Sequence, residues 1–392
     1  MNDRSSFAFA ARFDPAGLVH EIFDIESHRK SLSNQILPQE WTRDLQKLYI
    51  IRAVHGTTAI EGNPLSQDDV ARQLDRPQER RHRDEIHRQT ENAAKAFKWV
   101  ERAFAKPRPI TLGDILHIHA LLTTGSDERD NVPGRLRTSG HRVTVGSPTL
   151  GGVHRAPPGG PELQKLVEKY LDFINGPRCG AEHPVIQALI AHFYFVTIHP
   201  FGNGNGRTTR CIEAAILYAK GYNTYGFYSL SNFFYRHRDQ YFRMLQTTRT
   251  EHKYDLTLFL RFGLGGFREE LERIQTYIRN RTHRLNYREL IRRCREKRAG
   301  PRRRLLNERE AKLLHWILDR TKPPDPFSDD PSREVTSDDF DAVYEAIYTG
   351  KTSRTMSREM WRLSELGFVQ LRKKKGAARF RVIIDFKAIS QY

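Results

Sequence analysis

One stretch in the middle of the chain, His199-Pro200-Phe201-Gly202-Asn203-Gly204-Asn205-Gly206-Arg207-Thr208-Thr209-Arg210, most constrains the fold. It separates an apolar run over residues 184–198 from a second helical pattern over residues 208–220. The chain must therefore turn between two helices within a few residues. Glycine supplies the dihedrals such a turn needs. Backbone N–H groups of Gly204, Asn205 and Gly206 can then converge on an anion. The N-terminus of the following helix faces the same point and favours negative charge there. Arg207 and Arg210, three apart, share one helix face and can clamp successive phosphates. His199, just before the loop, can act as a general base near neutral pH. The plain alternative is a helical corner with a capping histidine.

This run resembles the signature of the Fic (filamentation induced by cAMP) family, His-Pro-Phe-x-Asp/Glu-Gly-Asn-Gly-Arg-x-x-Arg. Members of that family mostly transfer AMP from ATP to a Ser, Thr or Tyr hydroxyl of a target protein. The resemblance implies ATP as substrate and Mg²⁺ as its metal. It makes His199 the base that takes the proton from the target hydroxyl. It sets Asn205 on phosphate oxygens, Arg207 on the β-phosphate and Arg210 on the γ-phosphate. One position departs from the pattern: where the family has its acidic magnesium ligand, this chain has Asn203. Asn203 is thus the candidate metal residue, with an amide in place of a carboxylate.

A second segment, Thr57-Thr58-Ala59-Ile60-Glu61-Gly62-Asn63, is similar to the family's N-terminal inhibitory motif. By that resemblance Glu61 pairs with Arg210 and excludes the γ-phosphate. The same residues also read as an ordinary helix end, with Gly62 as the residue after the cap and Pro64 beyond. Both readings are compatible. Residues 141–157, rich in glycine and proline around Val143-Thr144-Val145, read as a β-hairpin flap. In the family that flap aligns the target by adding a strand. The segment from Tyr254 to Leu260 resembles the closing helix of the family domain, so the likeness spans roughly residues 57–266.

The expected fold class is mainly α: a Fic-type helical bundle with a small β-hairpin flap, plus a C-terminal winged-helix domain. Four regions are expected: residues 1–90, helical and carrying the inhibitory segment; 91–266, the catalytic core; 267–304, a basic helical linker; and 305–392, the winged helix-turn-helix. Helical spacing is read over residues 112–122 with Thr111 as cap, over 161–174 and 184–198, over 229–246 and over 256–278. In the last region a third helix opens at Ser353. It leads to a strand, the basic turn Lys373-Lys374-Lys375, and a second strand from Arg379. Lys373, Lys374, Lys375 and Arg379 are the candidate contacts to duplex DNA.

The formal charge of +18 points to an acidic partner. Much of the excess falls in residues 279–304, a block that reads equally as a solvated helix or a nucleic-acid contact. The three cysteines, Cys179, Cys211 and Cys294, show neither metal spacing nor a disulfide framework. They fit a cytoplasmic, reducing compartment. No window has the length and apolarity of a membrane span, and residues 1–16 do not read as a signal peptide. The leading expectation is a protein adenylyltransferase held off by Glu61, able to modify itself and to form a homodimer. Two alternatives stand beside it: a DNA-binding regulator whose nucleotide domain is weakly active, and a transferase of the same fold using another phosphate-containing donor.

Overall fold

The computed structural model describes residues 8–75, 84–126, 131–223, 229–300, 303–327, 332–373 and 380–392. The chain divides into two compact units, Met1–Glu272 and Arg273–Tyr392. The first opens with α1 (Val19–Ser33), α2 (Gln39–Ile60), α3 (Gln67–Asp75), α4 (Glu85–Ala103) and α5 (Leu112–Thr123). Each boundary has a local cause. Asp84 accepts the His87 N–H at the head of α4. Thr111 and Asp114 form a reciprocal capping box on α5. At the end of α2, Gly62 takes φ +95 and donates its N–H back to Ala59 O, so the chain leaves the helix at Glu61.

A hairpin follows: β1 (Thr144–Ser147) pairs antiparallel with β2 (Gly152–Arg155), Thr144 opposite Arg155. Next come α6 (Pro161–Asn175), α7 (Pro177–Gly180), α8 (Pro184–Ile198) and α9 (Asn205–Ala219). Every residue of α8 from Val185 to Ile198 is buried. A helix apolar all round belongs in the centre of a bundle, and each large side chain it buries contributes about 1.5–3 kcal/mol. α9 packs along α8, with α4 and α5 against α9 and α6 against α8. The catalytic-type loop therefore joins the two most central helices, which fixes both its ends.

The periodicity predicts one helix over residues 229–246. Two are found, α10 (Leu230–Arg236) and α11 (Arg238–Thr250), parted at His237. The reason is that they serve different neighbours: α10 packs on α2, α11 on the hairpin. Gly56 permits the first contact, since a Cβ there would stand 2.6 Å from the Asn232 backbone N. α12 (Thr257–Glu296) supplies Glu270, which pairs with Arg52 of α2 at 2.7 Å and Arg236 of α10 at 3.0 Å, all in the first unit. Arg52 and Glu270 are almost fully buried. Removing one partner of such a pair typically costs about 3–5 kcal/mol, so α2 is firmly held.

α12 runs on past the predicted end at residue 278. Its Tyr287, Leu290, Ile291 and Cys294 lie in the core of the second unit, within the stretch expected to be a basic linker. A short pair follows, β3 (Arg298–Gly300) with β4 (Arg303–Arg304). The rest is α13 (Glu308–Arg320), β5 (Val335–Thr336), α14 (Phe340–Ile347), α15 (Ser353–Glu365), β6 (Val369–Lys373), β7 (Phe380–Ile384) and α16 (Ala388–Gln391). The sheet is antiparallel in the order β5-β7-β6. Lys374, Lys375 and Arg379 lie outside the described residues, as does the side chain of Lys373.

Candidate active site

α8 ends at His199, which takes the left-handed conformation, φ 50, ψ 60. A non-glycine residue there is uncommon and carries strain the surroundings must hold. Arg137 does much of the holding. Its Nε donates to His199 O at 2.8 Å, Nη1 to His141 O at 2.8 Å and Nη2 to Pro157 O at 2.8 Å. Its backbone N–H donates to Pro200 O at 2.9 Å. One buried guanidinium thus ties the His199 backbone to both ends of the hairpin segment. His154, on β2, adds a second tie by donating Nε2–H to Thr197 O at 2.9 Å.

The His199 ring is oriented for base chemistry. Nδ1 lies 3.3 Å from Val196 O. A carbonyl only accepts, so Nδ1 carries the proton and Nε2 keeps its lone pair. Burial, reinforced by Arg137 and Arg249, lowers the imidazole pKa to about 4, against the Val196 carbonyl and Glu61, which raise it. The ring is neutral at pH 7, as a proton acceptor must be.

The loop after His199 is braced from inside. Asn205 Oδ1 accepts the Phe201 N–H and Asn205 Nδ2 donates to Phe201 O, both at 2.9 Å. One of the two Nδ2 hydrogens is thereby given to the loop, and the amide has a second. Phe201 stacks on His119 of α5, centroids 3.6 Å apart and planes 1° from parallel. His119 donates Nε2–H to Asn203 O at 3.0 Å and accepts the Gly134 N–H on Nδ1 at 3.0 Å. Burial lowers its pKa to about 4, so it stays neutral and both bonds persist. Gly204, at φ +73, lies where a Cβ would approach Thr123 Cγ2 to 2.8 Å. Glycine is required there on both counts.

α9 begins at Asn205 with Gly204 as its cap. The first-turn N–H groups of any helix have no intrahelical acceptor, so Asn205, Gly206 and Arg207 present theirs to this point. Arg207 Nη2 donates to Asn203 Oδ1 at 3.2 Å. Arg210 is gripped by α2: Nε donates to Thr57 Oγ1 at 2.7 Å, and Nη2 to Thr57 O at 3.0 Å and Glu61 Oε1 at 2.7 Å. Arg210 Nη1 and Arg207 Nε are buried without a hydrogen-bond partner among the described residues. A Cβ on Gly206 would collide with Glu61 Oε1, so the carboxylate lies directly on the first turn of α9. Burial pushes the Glu61 carboxyl up. Arg210, Arg207 and His199 outweigh it and hold the group below the usual range.

The hollow lined by His199, Gly206, Arg210, Glu61, Gln246 and Arg249 is about 100 Å³. Small-molecule sites usually occupy about 300–1,000 Å³, and the Glu61 side chain takes up part of the wall of this smaller hollow. A larger cleft of about 700 Å³ is lined by Arg108, Ile174, Gln187 and Lys220 and has none of the motif residues on its wall. Charge and chemistry favour the smaller hollow.

A divalent cation fits this donor set poorly. Magnesium is usually held by one or two carboxylates plus phosphates. Asn203 offers a neutral amide whose Oδ1 already accepts from the Gly204 N–H and from Arg207. Among the described residues no group of three or more His, Cys, Asp or Glu side chains could hold a metal.

The structure brings His199, Asn203 to Arg210 and Glu61 together. His119, Arg137, His154 and Arg249 were not found from sequence. Apart from His141 for Arg137 and Gln246 for Arg249, their side-chain hydrogen-bond partners lie between 15 and 84 positions away, and no local pattern in the sequence marks them. Among the described residues no helix is long and apolar enough to cross a membrane.

Residues 109–217 match the profile of the Fic/DOC family. The protein adenylyltransferase Fic of Drosophila grimshawi is 27% identical over 225 residues, 56% of this chain and 44% of that protein. The chain spans about half or less of the length of the curated relatives it matches. A Fic family protein from Desulfovibrio desulfuricans G20 superposes with TM-score 0.59 at 21% identity, covering 96% of this chain and 98% of that one. A variant of Fic-1 from C. elegans superposes with TM-score 0.55 at 20% identity, covering 67% and 73%. The helical fold with its small sheets is thus that of Fic proteins.

Proposed function

We propose that this chain, whose residues 109–217 match the Fic/DOC family, is a protein adenylyltransferase that moves AMP from ATP to a Ser, Thr or Tyr hydroxyl of a target protein. One observation carries the reading: a neutral His199 with its Nε2 lone pair available stands one loop away from a helix N-terminus bearing Arg207 and Arg210. In the reaction the target hydroxyl gives its proton to His199 Nε2. Its oxygen forms a bond to the α-phosphorus, and the bond from that phosphorus to the β-phosphate oxygen breaks. Pyrophosphate leaves. The α9 N–H groups and Arg207 neutralise charge on the phosphates, with Arg210 on the γ-phosphate. This is catalysis by positioning and electrostatics. Glu61 holds the enzyme off by occupying the Arg210 donors that a γ-phosphate needs.

The test is label transfer by the full chain carrying Glu61→Gly. Label from α-labelled ATP should move onto protein, either a target or the chain itself, and label from γ-labelled ATP should not. Movement of the γ label instead would overturn AMP transfer in favour of another donor chemistry.

A second role has its own support. We propose that the second unit is a winged helix that binds duplex DNA. The order α13-β5-α14-α15-β6-β7 with sheet order β5-β7-β6 is the one a winged helix needs. Arg354, Arg358 and Trp361 are exposed on α15, the helix in the recognition position. The candidate wing contacts remain Lys373, Lys374, Lys375 and Arg379.

A further inference from the structure

Arg249, on α11, is a buried cation without a carboxylate partner among the described residues. It is 9% exposed and lines the same hollow as His199, Gly206 and Arg210. Its Nε donates to Thr197 Oγ1 at 3.0 Å and its Nη1 to Gln246 Oε1 at 3.3 Å. Nη2 has no partner among the described residues. Both partners are neutral, and no ion pair to Arg249 occurs among the described residues. Taking a guanidinium out of water without a counter-charge is costly. Burial accordingly lowers its pKa to about 10. Its position is well defined nonetheless. Thr197 lies two residues before His199, and the Arg249 charge is close enough to depress the His199 pKa.

The cation is therefore fixed, dehydrated, one donor short and on the wall of the hollow that His199 and Arg210 also line. Arg210, on the same wall, also leaves a buried N–H unused among the described residues. Asn203, meanwhile, contributes no charge that would recruit a metal.

We propose that Arg249 is a third phosphate-binding arginine of this site, supplying through its free Nη2 the positive charge that Asn203 does not bring in with a cation. The proposal rests on the nucleotide-transfer reading above. A guanidinium suits the task because it can keep its bonds to Thr197 and Gln246 while a third edge meets a phosphate oxygen. Lysine, a point charge, cannot hold all of these contacts together.

The experiment uses the full chain in the Glu61→Gly background and calorimetric titration with ATP and with adenosine, each in Mg²⁺ and in EDTA. A hydrogen bond to a charged group corresponds to about ten- to hundredfold in affinity. Arg249→Met should weaken ATP by that factor and leave adenosine unchanged. The loss should persist in EDTA, since guanidinium–phosphate pairing needs no metal. If Arg249→Met does not fold, as judged by its melting curve, Arg249→Lys keeps the stem and charge. It should weaken ATP at least threefold, again without effect on adenosine. Unchanged ATP affinity, an equal loss for adenosine, or a loss confined to Mg²⁺ would overturn the proposal. Failure of the Glu61→Gly chain to bind ATP at all, with Arg249 intact, would instead overturn the nucleotide reading beneath it.

Discussion

Replacing Glu61 by glycine tests the link between α2 and the phosphate site most directly. The substitution removes one charge-assisted bond to Arg210 Nη2, 2.7 Å long. Arg210 keeps its two bonds to Thr57, at 2.7 and 3.0 Å, so the guanidinium stays where it is. A hydrogen bond to a charged group contributes about 1.5–3 kcal/mol. The Glu61 side chain is 33% exposed, which argues for the lower end. At 1.4 kcal/mol per tenfold, ATP should bind about tenfold more tightly to the variant. AMP has no γ-phosphate to meet Arg210 and should gain much less. The apo variant should melt lower than wild type and recover when ATP is added. Titration calorimetry with ATP and AMP, paired with transfer of α label, reads all of this. If ATP and AMP gained equally, or transfer did not rise, Glu61 would be a helix end only and the inhibitory reading would fall.

Other outcomes follow from the same geometry. His199→Ala should cut transfer by about 10²- to 10⁴-fold, the usual contribution of a general base, with ATP affinity intact. In the Glu61→Gly chain the acid limb of kcat/KM should lie below pH 5, because His199 stays neutral down to about pH 4; a limb near 6.5 would contradict the buried-base assignment. His119, His154 and His199 all have folded pKa values lowered to about 4 from 6.5. Their stability contribution is full above 6.5 and lost as pH falls toward 4, so the melting temperature should drop across that window. Arg137→Ala leaves several buried carbonyls unpaired and should destabilise by about 3 kcal/mol or more, read by urea unfolding. Asn203→Asp, in the Glu61→Gly background, should lower the Mg²⁺ concentration needed for transfer; an unchanged requirement would place the residue away from any metal. Binding of the full chain to duplex DNA should weaken steeply between 50 and 200 mM salt, and no binding at low salt would refute a DNA contact.

Sequence alone carries whatever depends on neighbours along the chain. The run from His199 to Arg210 is legible because a loop between helices forces its glycines, arginines and histidine to share one point. Gly62 marks the end of α2 and Thr111 the start of α5 by the same local logic, since caps satisfy backbone groups only a few residues away. The pairing of Glu61 with Arg210, 149 positions apart, came from resemblance, not from any local rule. Packing decided the rest. His119 is an ordinary residue of an apolar helix until Phe201 lies on its ring. Arg137 is one arginine among many until four carbonyls close around it. The helix expected over residues 229–246 breaks at His237 because its halves answer to α2 and to the hairpin. Asn205 braces the loop because Phe201 offers both a donor and an acceptor 2.9 Å away. Residue type and spacing announce a chemistry, but only the tertiary fold sets which polar groups are paired, which are left buried and unpaired, and hence where an anion belongs.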